Sequence, residues 1–265
     1  MYTCINCGAH VDKLYRRYSP SVLKIVKCEN CGKFADKYVE YDPVIVLVDL
    51  VLLEKPAYRH LLYNNDFNAY WKLLIVLILG ESFRQWTNRE EQLKASGLIP
   101  SPSSPLLLSS VNHRPEYKFE FRNETMDLVG FQSERDFYFL LGHTALALGG
   151  FACAVLFFTE LRWRVFGGRP SSYEPKHLVR ALVIGGCAKL LDLLSIVWHH
   201  VDPEPHGFLI YGYTVLCLLT AYSVVCESGR ASSLIALTVG LWVHNYVYKI
   251  LGQYLPTTNV TLLQT

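Results

Sequence analysis

The sequence predicts a small N-terminal β-type zinc ribbon followed by an α-helical multi-pass membrane domain. Three observations carry this. Two Cys-x-x-Cys pairs, Cys4/Cys7 and Cys28/Cys31, have the spacing at which four thiolates hold a tetrahedral zinc ion. Several long runs with few charges follow them. The composition, 51% hydrophobic and 18% charged with a mean hydropathy of +0.19, is that of a membrane protein rather than of a soluble or disordered chain. A net charge of +2 supplies no broad basic field, which argues against nucleic acid as a partner although many zinc ribbons serve transcription and RNA machinery. The first thirty residues hold cysteines and charges where a signal peptide would have an apolar core, so membrane insertion is expected to begin at an internal segment.

The ribbon spans residues 1–42. Each Cys-x-x-Cys pair is followed by a glycine, Gly8 or Gly32, suited to a tight turn in which backbone N–H groups point at sulfur and a positive φ costs little. Strands are expected over 22–27 and 37–42. So small a core cannot stabilise itself, and zinc binding would contribute about 10 kcal/mol or more of folding free energy. Four cysteine ligands leave no open coordination position, so the metal is structural; a redox dithiol would need a βαβ pattern that neither pair has. Thiols stay reduced on the cytosolic side of a membrane, which places the ribbon there. The cluster Lys13, Arg16 and Arg17, interleaved with Tyr15 and Tyr18, suits either anionic headgroups or an ordinary solvated face.

Residues 43–66 form a hinge. Asp42-Pro43 supplies an N-cap and a first helical residue, and an apolar run interrupted by Asp49 extends from 44 to 53. Ten residues rise only about 15 Å against a hydrocarbon core of about 30 Å, so this helix is interfacial or re-entrant, or simply buried, and does not span. The stretch from Ala57 to Asn64 mixes aromatic, cationic and aliphatic side chains as membrane-surface helices do, making Tyr58, Arg59, His60 and Asn64 candidates for lipid contact.

These residues also carry a family resemblance. The two cysteine knuckles, then Asp36-Lys37-Tyr38-Val39-Glu40-Tyr41-Asp42-Pro43, then Ala57-Tyr58-Arg59-His60 and Asn64, resemble the Arv homology domain over residues 1–65; beyond it the chain is similar mainly in its pattern of hydrophobic segments. The resemblance implies an endoplasmic-reticulum membrane protein that mediates sterol homeostasis by taking part in sterol transport and distribution. Linked roles in sphingolipid metabolism and in delivery of glycosylphosphatidylinositol intermediates are implied as well. It implies Cys4, Cys7, Cys28 and Cys31 as metal ligands, and assigns no chemical step to the blocks 38–42 and 58–64. The polar stretch 87–134 departs from the family's shorter form.

Five crossings are expected, over 67–86, 137–159, 178–200, 208–226 and 231–254. The second holds twenty-three residues without Asp, Glu, Lys or Arg. The first carries Lys72, Glu81 and Arg84 near its ends, with Trp71 and Trp86 at interfacial positions. In the third, Lys189 and Asp192 would each cost about 2.5–3.5 kcal/mol at the bilayer centre. Three residues apart they share a helical face, either as an ion pair between helices or as the wall of a polar route for lipid headgroups, which makes them lipid-contact candidates too. With the ribbon cytosolic, 87–136 is a luminal polar loop, read as mobile linker around Ser101-Pro102-Ser103-Ser104-Pro105; 160–177 is a cytosolic basic loop and 255–265 a luminal tail. Arg162, Arg164, Arg169 and Lys176 in the cytosolic loop, against Asp202 and Glu204 in the luminal turn, follow the positive-inside rule. The sequons at Asn123 and Asn259 then fall in the lumen as glycosylation candidates. Cys153, Cys187, Cys217 and Cys226 lie in the spans and read as small apolar residues.

No nucleophile elbow, zinc-protease His-Glu pair, phosphate-binding glycine loop or dinucleotide fingerprint is present, so no enzyme activity is expected. His199, His200, Asp202, Glu204 and His206 have metal-binding residue types, but a helix end capped by histidines explains them without chemistry. The leading expectation is a protein that binds sterol or glycolipid between its helices or presents it to partners. The alternatives are a scaffold for glycosylphosphatidylinositol-synthesis enzymes that does not itself bind lipid, and a membrane acyltransferase.

Overall fold

The computed structural model describes residues 2–19, 22–65, 69–95, 116–170, 173–193, 203–227 and 229–253. Two antiparallel hairpins open the chain. β1 (Tyr2–Thr3) pairs with β2 (His10–Val11) around the first cysteine knuckle, and β3 (Tyr15–Ser19) pairs with β4 (Val22–Ile25), with an irregularity between Arg17 and Ser19. A lone bridge between Lys27 and Phe34 closes the second knuckle. The strand expected over 37–42 is instead a 3₁₀ turn, Lys37–Val39. Asp36 causes the difference: its side chain accepts the Tyr38 N–H at 2.9 Å, a local cap that competes with extended backbone and buries the Tyr38 ring.

α1 (Pro43–Val51) starts where Asp42-Pro43 placed it, although Asp42 makes no side-chain cap bond, so the fixed φ of proline sets the start. The chain reverses through Leu53, at a φ of 62°, into α2 (Lys55–Arg59), which runs directly into a π-turn, His60–Asn64. Ile5, Tyr38, Val46 and Ala57 form a small core joining α1 and α2 to the ribbon.

The remaining helices are α3 (Tyr70–Ala95), α4 (Glu116–Phe166), α5 (Pro175–Gly186), which tightens into a 3₁₀ turn at Cys187–Leu190, α6 (Pro203–Cys226) and α7 (Arg230–Gln253). They divide into two compact units, Met1–Leu77 with Phe151–Val243 and Ile78–Gly150 with His244–Thr265. In the first, Tyr58 and Leu62 enter the main core beside Leu178 and Leu182 of α5, Leu218 and Tyr222 of α6, Val155 of α4 and Leu237 of α7. In the second, the His143 ring sits 3.0 Å from the Tyr248 carbonyl oxygen and its centroid 4.5 Å from that of the Tyr248 ring.

Among the described residues three helices are long and apolar enough to cross a membrane: Glu134–Phe166, Gly207–Cys226 and Ala231–Gly252. They contain or closely overlap the expected runs 137–159, 208–226 and 231–254. The expected span 67–86 is not among them, because α3 continues to Ala95 and carries Lys72, Glu81, Arg84, Arg89 and Glu91. For the expected span 178–200, α5 holds twelve residues before the 3₁₀ turn, and 194–200 lie outside the described residues. Part of the stretch expected as a mobile linker is helical: α4 begins at Glu116, where Glu, Lys and Arg, all good helix formers, recur. The segment 96–115, with its Ser-Pro repeat, lies outside the described residues.

Two glycines mark the closest helix approaches in the first unit. A Cβ on Gly185 would stand 3.0 Å from the Leu218 Cα, backbone against backbone, and one on Gly240 would stand 2.5 Å from the Val155 Cγ2. Gly149 has nothing within 4 Å of that position. Gly185→Ala is therefore expected to lower the unfolding free energy of the detergent-solubilised protein by about 1–3 kcal/mol, whereas Gly149→Ala leaves it level or slightly raised; denaturant titration of both variants is the check.

Candidate metal centre and its clamp

The sulfur atoms of Cys4, Cys7, Cys28 and Cys31 lie within 4.8 Å of one another, and theirs is the only such ligand cluster found among the described residues. Cys4 Sγ is 3.8 Å from Cys31 Sγ, and Cys7 Sγ is 3.7 Å from Cys28 Sγ. A tetrahedral ion with metal–sulfur bonds of about 2.3 Å separates its ligands by about 3.8 Å, whereas a disulfide needs about 2.05 Å. The donor set therefore fits a four-coordinate thiolate-bound metal, which would cross-link the two knuckles. The knuckles have matching backbones. Cys4 N–H donates to Ala9 O and Gly8 N–H to Cys4 O; Cys28 N–H donates to Lys33 O and Gly32 N–H to Cys28 O, all at 2.8–2.9 Å. Gly8 and Gly32 have φ values of 82° and 70°, a left-handed conformation that costs other residues about 1–2 kcal/mol.

The thiols differ in acidity. Burial pushes Cys4 up to about 11, against the pull of the Cys7 and Asn6 backbone N–H groups. Burial opposes ionisation of Cys7 as well, but the Ala9 backbone N–H and the neighbouring thiols bring it down to about 7. Near neutral pH Cys7 supplies a thiolate readily, and cation binding must displace a proton from Cys4.

Beneath the centre lies a clamp that the sequence reading missed. Asp36 is fully buried. Its Oδ1 accepts the Tyr38 N–H; its Oδ2 lies 2.7 Å from His60 Nδ1 and accepts Asn64 Nδ2 at 2.7 Å. The Asn64 carboxamide also engages β1, Oδ1 accepting the Thr3 N–H and Nδ2 donating to the Thr3 carbonyl, both at 2.8 Å. Arg59 Nη1 donates to the carbonyls of Ile5 and Asn6 at 3.0 and 2.7 Å, inside the first knuckle. The Tyr38 hydroxyl donates to Asp49 Oδ2 at 2.7 Å, and Lys37 Nζ sits 3.5 Å from the same oxygen.

These contacts engage Tyr58, Arg59, His60 and Asn64, the residues expected to touch lipid. Tyr58 is 2% exposed, within 3.4 Å of the Leu50 carbonyl, and the other three are engaged by the ribbon. The segment is a π-turn, in which Asn65 N–H bonds back to His60 O at 3.0 Å. His60 and Asn64, four residues apart, lie on one side of it, and what they face is set by the ribbon that packs there. Three hydrogen-bonding residues crowded into a segment with Leu61 and Leu62 were the available signal.

In this hinge the exposed apolar surface is on α1 and the residue after it, where Val44, Ile45, Leu47, Val48, Val51 and Leu52 face outward and Asp49 faces the ribbon. Lys189 lies in the 3₁₀ turn and Asp192 just beyond it, both half-buried. The basic residues Arg16 and Arg17 lie on β3 and are exposed with Tyr15 and Tyr18. Asn123 falls within α4; Asn259, His199, His200 and Asp202 lie outside the described residues.

Asp36→Ala takes the acceptor from the buried Tyr38 N–H and His60 ring and from one half-buried Asn64 amide hydrogen, and is expected to cost about 3–5 kcal/mol, read as lost amide-exchange protection across residues 2–40. Anaerobically prepared protein should hold one metal ion per chain. Because thiolates are the ligands and protons compete with the metal for them, occupancy should fall on acidification and be regained on raising the pH.

The chain matches the Arv1-like family over residues 3–222. It is 29% identical to Protein ARV1 of Mus musculus over 248 residues, 93% of this chain and 82% of that protein. Identity to Protein ARV1 of Homo sapiens is also 29%, over 244 residues, 91% of this chain and 78% of the relative. Protein ARV 2 of Arabidopsis thaliana is 35% identical over 135 residues, 47% of this chain and 59% of that protein. No solved structure matches the chain.

Proposed function

The chain belongs to the Arv1-like family, and from that premise we propose that it is a non-enzymatic endoplasmic-reticulum membrane protein that mediates sterol homeostasis. It takes part in moving sterol out of that membrane, with linked roles in sphingolipid metabolism and in delivering glycosylphosphatidylinositol intermediates. Its ribbon is cytosolic, folds on zinc, and sits on the helices as a fixed head. The observation that carries this reading is the continuous packing from metal ligands to membrane helices. Arg59, His60 and Asn64 hold the ribbon, while Tyr58 and Leu62 from the same short segment are buried against α5 and α6. A head joined so closely to apolar helices suits a protein whose lipid handling is coupled to events at the cytosolic face.

The orientation has independent support within the first unit. A Cβ on Gly8 would stand 3.2 Å from Glu227 Oε1, just past the end of α6, and the Tyr63 and His177 rings lie 5.0 Å apart. The first knuckle and the ends of the basic 160–177 segment therefore gather at one end of the helices. That is the arrangement the positive-inside rule requires if thiolates face the reducing compartment.

A scaffold for glycosylphosphatidylinositol-synthesis enzymes is the second reading, favoured by a groove of about 620 Å³ on the ribbon, lined by Tyr18, Leu23, Lys27, Phe34, Lys37 and Tyr41. Exposed aromatic rings beside lysines suit a protein partner. The two readings separate in liposomes carrying the purified full chain. A photoactivatable sterol should crosslink and be displaced by free sterol. Crosslinking that free sterol does not compete, together with co-purification of transferase subunits, would favour the scaffold.

The outward face of α1 should sit in the cytosolic leaflet. A benzophenone side chain installed at Leu47 is expected to crosslink phospholipid in those liposomes, and one at Tyr18 is not; equal yields at both positions would remove α1 from the membrane.

A further inference from the structure

A cavity of about 460 Å³ opens where the three candidate spans meet at the ribbon end of the first unit, and no role described so far uses it. Phe158, Arg162 and Phe166 come from α4, Glu227 follows α6, and Ser232 and Ile235 come from the start of α7. Polar and apolar groups are graded along it. Arg162 donates from Nη1 to Ser232 Oγ at 2.9 Å, and its Nε is buried without a hydrogen-bond partner. Phe158 lies one helical turn, about 6 Å, from Arg162 toward the middle of its span, and Ile235 lies nearly one turn beyond Ser232. The rim is open beside Ile235, 54% exposed, and at the end of α4, where Phe166 is 84% exposed. Gly167 and Gly168, which add no side-chain bulk, and Cys226 complete the lining.

We propose that this cavity binds the phosphodiester headgroup of a membrane phospholipid, with Arg162 engaging the phosphate and Phe158 and Ile235 receiving the first carbons of an acyl chain. Arginine's planar fork suits phosphate oxygens, and a bond to Ser232 presets its orientation. Ser232 lies in the first turn of α7, where the positive end of the helix dipole also favours a negative ligand. Glu227 supplies an acceptor for a hydroxyl or ammonium on the headgroup alcohol, so the site selects a substituted phosphate over a bare one. The volume suits a headgroup with its glycerol and not a whole lipid, so the chains remain in the bilayer. The site rests on the reading that α4, α6 and α7 cross the membrane with these ends at the headgroup level.

The test uses full-length protein in nanodiscs and two probes with the same diazirine acyl chain, phosphatidylinositol and diacylglycerol. The phosphatidylinositol probe is expected to label residues 157–168 or 231–236, and diacylglycerol to label them far less. Arg162→Ala should reduce labelling about tenfold, the loss of one charge-assisted hydrogen bond, with Arg162→Lys intermediate. Metal content measured on the same samples reports whether the variants fold. Equal labelling by both probes, or unchanged labelling in a folded Arg162→Ala protein, overturns the site. Complete displacement by millimolar inorganic phosphate reassigns it to a free anion and overturns the lipid assignment. Sterol crosslinking is scored separately: its absence with phosphatidylinositol labelling intact overturns the functional reading and leaves this site standing, and the converse overturns this site alone.

Discussion

A carboxylate shut away from water governs the head of this molecule. Asp36 has no solvent to stabilise its charge, so protein donors must do so, and they come from two directions: the Tyr38 amide of the ribbon itself, and His60 and Asn64 of the π-turn. Removing the hinge would leave the carboxylate stranded, and removing the carboxylate would leave the hinge donors stranded. Ribbon and hinge are consequently one folding unit, and a metal held by the knuckles would stabilise the hinge through the same contacts. Because Tyr58 and Leu62 in that segment belong to the helical core, the constraint reaches as far as α6.

Much of the head was legible in the sequence because its chemistry is local. Cys4, Cys7, Cys28 and Cys31 announce their geometry by spacing alone, Gly8 and Gly32 mark the turns, and Asp42-Pro43 marks the start of α1 to the residue. The clamp was not legible, since the bonds by which Arg59, His60 and Asn64 reach the ribbon span 24 to 61 residues of sequence. Arg59 and His60 looked like headgroup ligands because a cation near aliphatic residues carries the same pattern whether it faces lipid phosphate or buried carbonyls. The two cases differ only in what the fold brings opposite.

The helical body shows the reverse balance. Runs without charges identified Glu134–Phe166, Gly207–Cys226 and Ala231–Gly252, because continuous apolarity is a property of the segment alone. Where charges intrude, as in α3 and around Lys189, hydropathy loses its authority and tertiary context decides. α1 falls between these cases: one acid in ten residues suggested an interruption, yet Asp49 turns toward Tyr38 and Lys37 and leaves the opposite face wholly aliphatic. A charge disqualifies a surface from contact with lipid only if it points there.

The pairing of Asn64 with Thr3 has a further consequence. A two-residue strand normally leaves one row of amides and carbonyls ready to recruit an extended segment from elsewhere. Here a single carboxamide supplies both the donor and the acceptor that such a segment would bring, occupying the place of an additional strand. That plug removes β1 as a template for β-addition.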